Sequence, residues 1–182
     1  MPPSLCRQIA GLRLPYSYAM ALLAVATARE PLIWQWSALI ILGASMRIWA
    51  AGHIRKNELL TTSGPYAYVR HPLYLGSFLS ALGIFLMIGR PALTLLFAAS
   101  FALFYGCKMR CEEISLEEQF GNEYRSYRRR VPPFFPSPFV NRAKTTSAFS
   151  IKLALKNGEA RALLCTAAQT ALVFLAAGLR RI

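Results

Sequence analysis

Thr61-Thr-Ser-Gly-Pro-Tyr-Ala-Tyr-Val-Arg-His-Pro-Leu-Tyr-Leu-Gly76 is the least hydrophobic stretch in the first half of an otherwise apolar chain, and its reading decides the fold. Ser63-Gly64-Pro65-Tyr66 is a turn signal, with glycine free in φ and proline fixing its own. Arg70-His71-Pro72 ends one element and opens the next, because proline at the first position of a helix forfeits no intrahelical hydrogen bond. An apolar run follows at once from Leu73. A cation, an imidazole and three tyrosines (Tyr66, Tyr68 and Tyr74) therefore gather where a membrane helix would enter the bilayer. Taken alone, such a group is also what an interfacial belt contains, since Tyr, Arg and His favour the headgroup level.

The surroundings of that stretch are those of a membrane protein. The chain has 182 residues, is 55% hydrophobic and carries a formal net charge of +13, with a mean hydropathy of +0.36. Repeated near-uncharged runs of about 16 to 20 residues argue for an integral membrane protein built as one domain, 1–182. The positive charge then reads as basic loops beside membrane helices rather than as a nucleic-acid surface. No cleavable signal is expected, because Met1 to Arg13 lacks an apolar core. The four cysteines read as packing residues: Cys6 and Cys165 stand apart, and Cys107 and Cys111 lie one helical turn apart with no histidine nearby. No metal site is expected.

Candidate spans cover about Leu14 to Ala28, Leu32 to Ala51, Leu73 to Ile88, Ala92 to Cys107 and Ala162 to Leu179. The predicted fold is all-α: a polytopic bundle of about five transmembrane helices with a cofactor pocket on its cytosolic face. Trp34, Trp36 and Trp49 mark the ends of the second span, and Arg47 lies inside it within snorkelling reach of the surface. Gly89-Arg90-Pro91 folds the third and fourth spans into an antiparallel hairpin. Each of these is short, reaching about 24 Å against a typical ~30 Å hydrocarbon core. The last span is read as transmembrane or interfacial. Basic loops at His53–Arg70, Lys108–Arg130 and Arg142–Arg161 fall on one side if the first four spans all cross, and that side should be cytoplasmic.

The second informative stretch runs from Lys108 to Pro132. On a helical wheel Glu112, Leu116, Phe120, Tyr124 and Tyr127 share one broad face, mostly apolar and headed by a carboxylate. Glu117, Glu118, Arg125 and Arg128 to Arg130 read as solvated i,i+4 partners without chemistry. Glu112 and Glu113 differ, because they stand where the fourth helix leaves the membrane, and a carboxylate there needs a cation or a ligand. Arg70 or Lys108 could fill that need as a plain ion pair. A tight hairpin would return both informative stretches to one membrane face. The outcome is an interfacial pocket of carboxylates, imidazole, cations and aromatic rings, suited to a charged cofactor and an amphiphilic substrate.

The pattern Gly-Pro-Tyr-x-x-Val-Arg-His-Pro-x-Tyr-x-Gly, then Glu-Glu-x-x-Leu-x-x-x-Phe-Gly-x-x-Tyr-x-x-Tyr-x-x-x-Val-Pro, resembles the isoprenylcysteine carboxyl methyltransferases and the related phospholipid N-methyltransferases. The resemblance spans roughly 58–136 and leaves out the late apolar helix at 162–179. It implies S-adenosyl-L-methionine as cofactor without a Rossmann fold, and no strand–GxGxxG–helix pattern occurs here. Cofactor contacts carried over by resemblance are Glu58, Leu59, Leu60, Thr61, Tyr66, His71, Pro72, Leu73, Tyr74 and Glu112. A substrate-orienting arginine of the family falls on Lys108, with Arg110 two residues on. This is a departure, because arginine offers a bidentate fork and lysine a point charge.

The resemblance thus implies a multi-pass membrane methyltransferase acting on a lipidic or prenylated acceptor, with its site facing the cytoplasm. Lys108, Arg110 and Glu113 are the expected catalytic residues, and Lys108 and Arg70 the expected substrate contacts. A carboxylate acceptor needs a cation but no base; an amine must lose a proton, for which Glu113 or His71 stands nearest. Carboxyl O-methylation of an isoprenylcysteine-like substrate is the leading expectation and phospholipid N-methylation the alternative. An NADPH-dependent sterol-type reductase and a non-catalytic membrane scaffold are the readings from other classes.

Overall fold

The computed structural model describes residues 3–55, 59–136 and 148–180, and every regular element in them is helical. Helix α1 (Pro3–Gly11) was not expected from the sequence. With 9 residues it is shorter than the roughly 12–15 that an isolated helix needs, so packing rather than propensity holds it. Its Cys6 and Ala10 bury against Cys107. Cys6 is therefore not isolated: its Sγ lies 3.3 Å from that of Cys107, and both remain free thiols.

Helix α2 (Arg13–Thr27) matches the first expected span. Helix α3 (Ser37–Ala51) starts later than Leu32. The reason is a competing partner: the Ile33 amide donates to the Met87 carbonyl at 2.9 Å, which holds the approach extended. Trp34–Trp36 then makes a single 3₁₀ turn into the helix.

Helix α4 (Pro72–Ile88) stops at Gly89, whose φ of 72° is left-handed, and α5 (Pro91–Arg130) begins two residues later. The expected hairpin is present. The fourth span does not end at Cys107 but continues into the polar segment as one 40-residue element. Gly121 interrupts it, with φ 51° and ψ −122°. The interruption rewrites the charge pairing. Arg125 reaches Glu117 at 2.7 Å and Arg128 reaches it at 3.3 Å, although eight residues of straight helix span about 12 Å. The i,i+4 pairing expected there is replaced by a fold-back.

A short α6 (Ile151–Lys156), capped by the Ser150 hydroxyl accepting from the Leu153 amide, leads to α7 (Glu159–Leu179). The late helix docks at both ends. Arg47 of α3 pairs with Glu159 at 2.7 Å, and the Asn157 amide donates to the carbonyls of Ala51 and Ile54. At the other end the Arg180 guanidinium donates to the carbonyls of Val25, Ala26 and Ala28.

Packing is tightest between α3 and α4. A Cβ on Gly43 would sit 2.4 Å from Ser80 Oγ and 2.5 Å from the Gly76 carbonyl, and one on Gly76 would meet Arg47 Cγ at 2.7 Å. Small residues let the two backbones touch, as in helix pairs that associate without a hydrophobic driving force. The α4–α5 seam is aromatic instead: Phe85 stacks on Phe97 at 4.8 Å, beside Phe101, Ile84, Val173 and Ala177 in the main core.

Two helices, Pro91–Arg130 and Glu159–Leu179, are long and apolar enough to cross a membrane. Helix α4 is apolar but has 17 residues, and α2 and α3 have 15 each. Large apolar side chains point outward, among them Ile41, Leu95 and Leu164. That is an exterior for lipid contact rather than for water.

Candidate functional site

The hairpin brings the start of α4 to the middle of α5. His71 precedes Pro72 and lies outside the helix, with φ −121° and ψ 59°. Its amide donates to the Pro133 carbonyl at 3.2 Å, and the Arg70 amide donates to that of Pro132 at 2.9 Å. The chain after α5 thus returns alongside the turn that opens α4. Phe134 completes the return by packing edge-on against Phe78 at 5.6 Å.

Two carboxylates meet this turn in different ways. Glu113 is internal: the Arg70 guanidinium bonds its Oε1, His71 Nε2 lies 3.2 Å from the same oxygen, and Arg128 stands 4.0 Å from Oε2. Burial alone would raise its pKa. The His71 hydrogen bond and the charges of Arg70, His71 and Arg128 outweigh burial and hold the carboxyl below its ordinary value of 4.5. Arg70 spends its remaining Nε on the Val131 carbonyl at 2.9 Å. Its fork is committed inside the protein.

Glu112 is the accessible one, with its side chain 37% exposed against 13% for Glu113. The Tyr74 phenol donates to it at 2.6 Å, Lys108 pairs with it at 3.1 Å, and His71 Nδ1 lies 3.9 Å away. Tyr74 stands edge-on to Tyr105 at 5.4 Å and tilted against His71 at 5.8 Å. One imidazole therefore sits between two carboxylates.

Of the remaining expected residues, Tyr66 and Pro72 are buried, while Leu73 is half-buried and offers its carbonyl to Arg47 at 3.5 Å. Leu60 packs on the Tyr124–Tyr127–Val131 cluster, the apolar face expected from the wheel. Thr61 accepts from the Arg55 amide at 3.4 Å, and Leu59 is exposed. Glu58 lies outside the described residues. Arg110 is exposed and joins none of the contacts around Glu112 and Glu113.

The Tyr66 hydroxyl is buried with no hydrogen-bond partner among the described residues, within electrostatic reach of Glu112, Glu159 and Arg47. Burial raises its pKa above the usual 10.0, so it stays a neutral donor. A buried donor without a partner among the described residues is a fit for a polar ligand. Arg47 and Glu159 are the residues that sequence reasoning missed here. Arg47 carries the signal of a charge within an apolar run, although the sequence reads it as snorkelling to the surface. Glu159 lies in a polar segment between Lys156 and Arg161 with no signal of its own. Among the described residues, no group of three His, Cys, Asp or Glu could hold a metal.

The family profile described as phospholipid methyltransferase matches residues 18–123, more than half of the chain. The chain belongs to that family. It is 41% identical over 112 residues to the cobalt-zinc-cadmium resistance protein CzcN of Cupriavidus metallidurans, covering 58% of this chain and 51% of that one. It is 40% identical over 100 residues to the protein-S-isoprenylcysteine O-methyltransferase of Schizosaccharomyces pombe, covering 55% and 42%. The Homo sapiens enzyme of the same description is 38% identical over 89 residues, covering 46% and 31%. The chain spans about half or less of the length of these curated relatives. No solved structure matches.

Proposed function

We propose that the chain is a membrane methyltransferase that uses S-adenosylmethionine to methylate the carboxylate of an isoprenylcysteine-like amphiphile. The observation that carries this reading is the split between the two adjacent carboxylates. Glu113 is held ionised below its ordinary range, which makes it a weak base for stripping a proton from an amine. A carboxylate acceptor needs no such base, and Lys108, beside Glu112, is a cation able to hold one.

The donor set suits the cofactor. Glu112 can accept hydrogen bonds from an ammonium or from ribose hydroxyls, and the Tyr66 hydroxyl is a donor without a partner among the described residues. The rings of Tyr74 and His71 offer π faces for a planar base or a cation. Leu59, Leu60 and Thr61 form the approach. S-adenosylmethionine supplies an electrophilic methyl group carried on a sulfonium. The protein contributes position: Arg70 and His71 fix Glu113 and with it the turn that carries Tyr74.

Five crossings fit the pairing of helix ends. The α3 approach meets the α4 end through Ile33 and Met87, and Arg180 meets the end of α2. Arg13, Pro72, Lys108 and Glu159 accordingly belong to the other end, with the basic loops, and that end would face the cytoplasm. The short helices α2 to α4 require local thinning of the bilayer or snorkelling of their flanking residues.

Calorimetry in detergent with S-adenosylhomocysteine and NADPH tests the cofactor, and labelled S-adenosylmethionine with a prenylcysteine analogue or phosphatidylethanolamine tests the acceptor. Alkali-labile label on the prenylcysteine is expected. Base-stable label on the phospholipid would turn the reading to N-methylation, and NADPH binding without S-adenosylhomocysteine binding would overturn it.

A further inference from the structure

Beside the Glu112 site lies a cavity of about 360 Å³ between α1, the start of α2 and α5, lined by Arg7, Ala10, Arg13, Leu14, Lys108 and Cys111 among others. Arginines from two elements and a lysine from a third face it, and among the described residues no carboxylate lines it. Like charges gathered around one hollow repel unless an anion is bound there. Lys108 is the shared wall: it lines the cavity and pairs with Glu112 at 3.1 Å.

The cavity is held in place rather than left to chance. The Ser17 hydroxyl donates to the Arg13 carbonyl at 2.8 Å and lies 3.1 Å from the Tyr105 hydroxyl, and Tyr105 in turn contacts Tyr74. Cys6 and Ala10 pin α1 onto Cys107, one residue before Lys108. From its rim Leu14, Tyr18 and Leu22 run down α2 at i, i+4 and i+8, and all three are highly exposed. They share one helix face. The surface therefore offers a cationic hollow at one end and a strip of hydrocarbon leading from it along the helix axis.

We infer that this cavity, through Arg7 and Arg13 together with Lys108, seats the anionic headgroup of the acceptor, its tail lying along Leu14, Tyr18 and Leu22. The occupant is a carboxylate-bearing amphiphile. This rests on the proposed methyl transfer and deepens it. Arg7 and Arg13 precede residue 18, where the family match begins, so they would set acceptor choice in this chain independently of the family's common machinery. They also make up for the fork that Lys108 lacks, since guanidinium groups bind carboxylates bidentately.

The test compares N-acetyl-S-farnesylcysteine with its methyl ester, which has the same tail and no charge, in detergent. The wild type should bind the acid at least tenfold more tightly than the ester. Arg7→Gln with Arg13→Gln should cut that preference at least fivefold and leave ester and S-adenosylhomocysteine affinities unchanged, while Arg7→Lys with Arg13→Lys should keep most of it. An unchanged acid preference in the glutamine double variant would overturn the inference while leaving the proposed function standing. Displacement of the acid by inorganic phosphate, or by phosphatidylglycerol at equal mole fraction, would also overturn it, showing a general anion site. Loss of all S-adenosylhomocysteine binding and methylation in the wild type would instead sink the function itself.

Discussion

The Tyr74 phenol, in the first turn of α4, donates a 2.6 Å hydrogen bond to Glu112, which lies 38 residues further along on α5. This contact ties the open end of the hairpin and orients the accessible carboxylate of the site. A hydrogen bond to a charged group contributes about 1.5–3 kcal/mol. Glu112→Gln should therefore weaken S-adenosylhomocysteine binding at least tenfold in calorimetry, and Tyr74→Phe by a smaller factor. Wild-type affinity in both variants, with unchanged thermal unfolding, would move the pair to a structural role.

Glu113 should make stability depend on acid. A carboxyl depressed in the folded state contributes stability fully present above its unfolded value, here ordinarily 4.5, and lost as pH falls through the folded value. Glu113→Gln should thus lower the melting temperature in detergent at pH 7. The gap between variant and wild type should close as pH is taken below 4.5. A gap that stays constant down to pH 3 would contradict the assignment.

Arg70→Met should be among the most damaging single changes. It removes the principal partner of a largely buried carboxylate and leaves Glu113 with His71 and the more distant Arg128. Removing one partner of a buried pair costs about 3–5 kcal/mol. The double variant Arg70→Met with Glu113→Leu should recover much of that stability. Failure of the second change to rescue the first would show that Arg70 acts chiefly through the Val131 carbonyl.

The α3–α4 contact tolerates no side chain at Gly43. Gly43→Ala places a methyl 2.4 Å from Ser80 Oγ and 2.5 Å from a backbone oxygen, and overpacking of this kind costs about 1–3 kcal/mol. Gly106→Ala, where nothing lies within 4 Å, is the matched control and should melt at or slightly above the wild type, since alanine is the better helix former.

Membrane sidedness is read by labelling single cysteines in a cysteine-free background. Arg55→Cys, Asn122→Cys and Lys156→Cys, all exposed positions, should react with an impermeant reagent from one side, and Arg90→Cys from the other. Reaction of Asn122→Cys and Arg90→Cys from the same face would break the five-crossing arrangement.

Much of this arrangement is legible without coordinates. Gly89-Arg90-Pro91 specifies the hairpin by itself, because a left-handed residue and a helix-opening proline leave the chain one course. His71-Pro72 specifies the start of α4 in the same way. Together they bring Tyr74 and Glu112 to one end of the molecule, and the charge in an apolar context marks both stretches as a candidate site.

Which acid meets which cation was not legible. Glu112 and Glu113 are adjacent and alike in sequence, yet one is bonded by Arg70 and the other by Lys108 and Tyr74. Their roles differ because the break at Gly121 folds Arg128 and the Pro132–Pro133 carbonyls back onto the turn at Arg70. A glycine in a helical pattern permits such a break without requiring it. The same holds for α1, too short to be stable alone and held by its packing against Cys107 and Cys111 of α5, and for Glu159, whose partner Arg47 lies 112 residues away. Local chemistry determines where helices begin, where they turn and which residues carry charge, since those follow from φ preferences and hydration within a few residues. The choice of ionic partners, and with it the accessible carboxylate and the cationic hollow at Arg7 and Arg13, is decided only when distant helices desolvate one another.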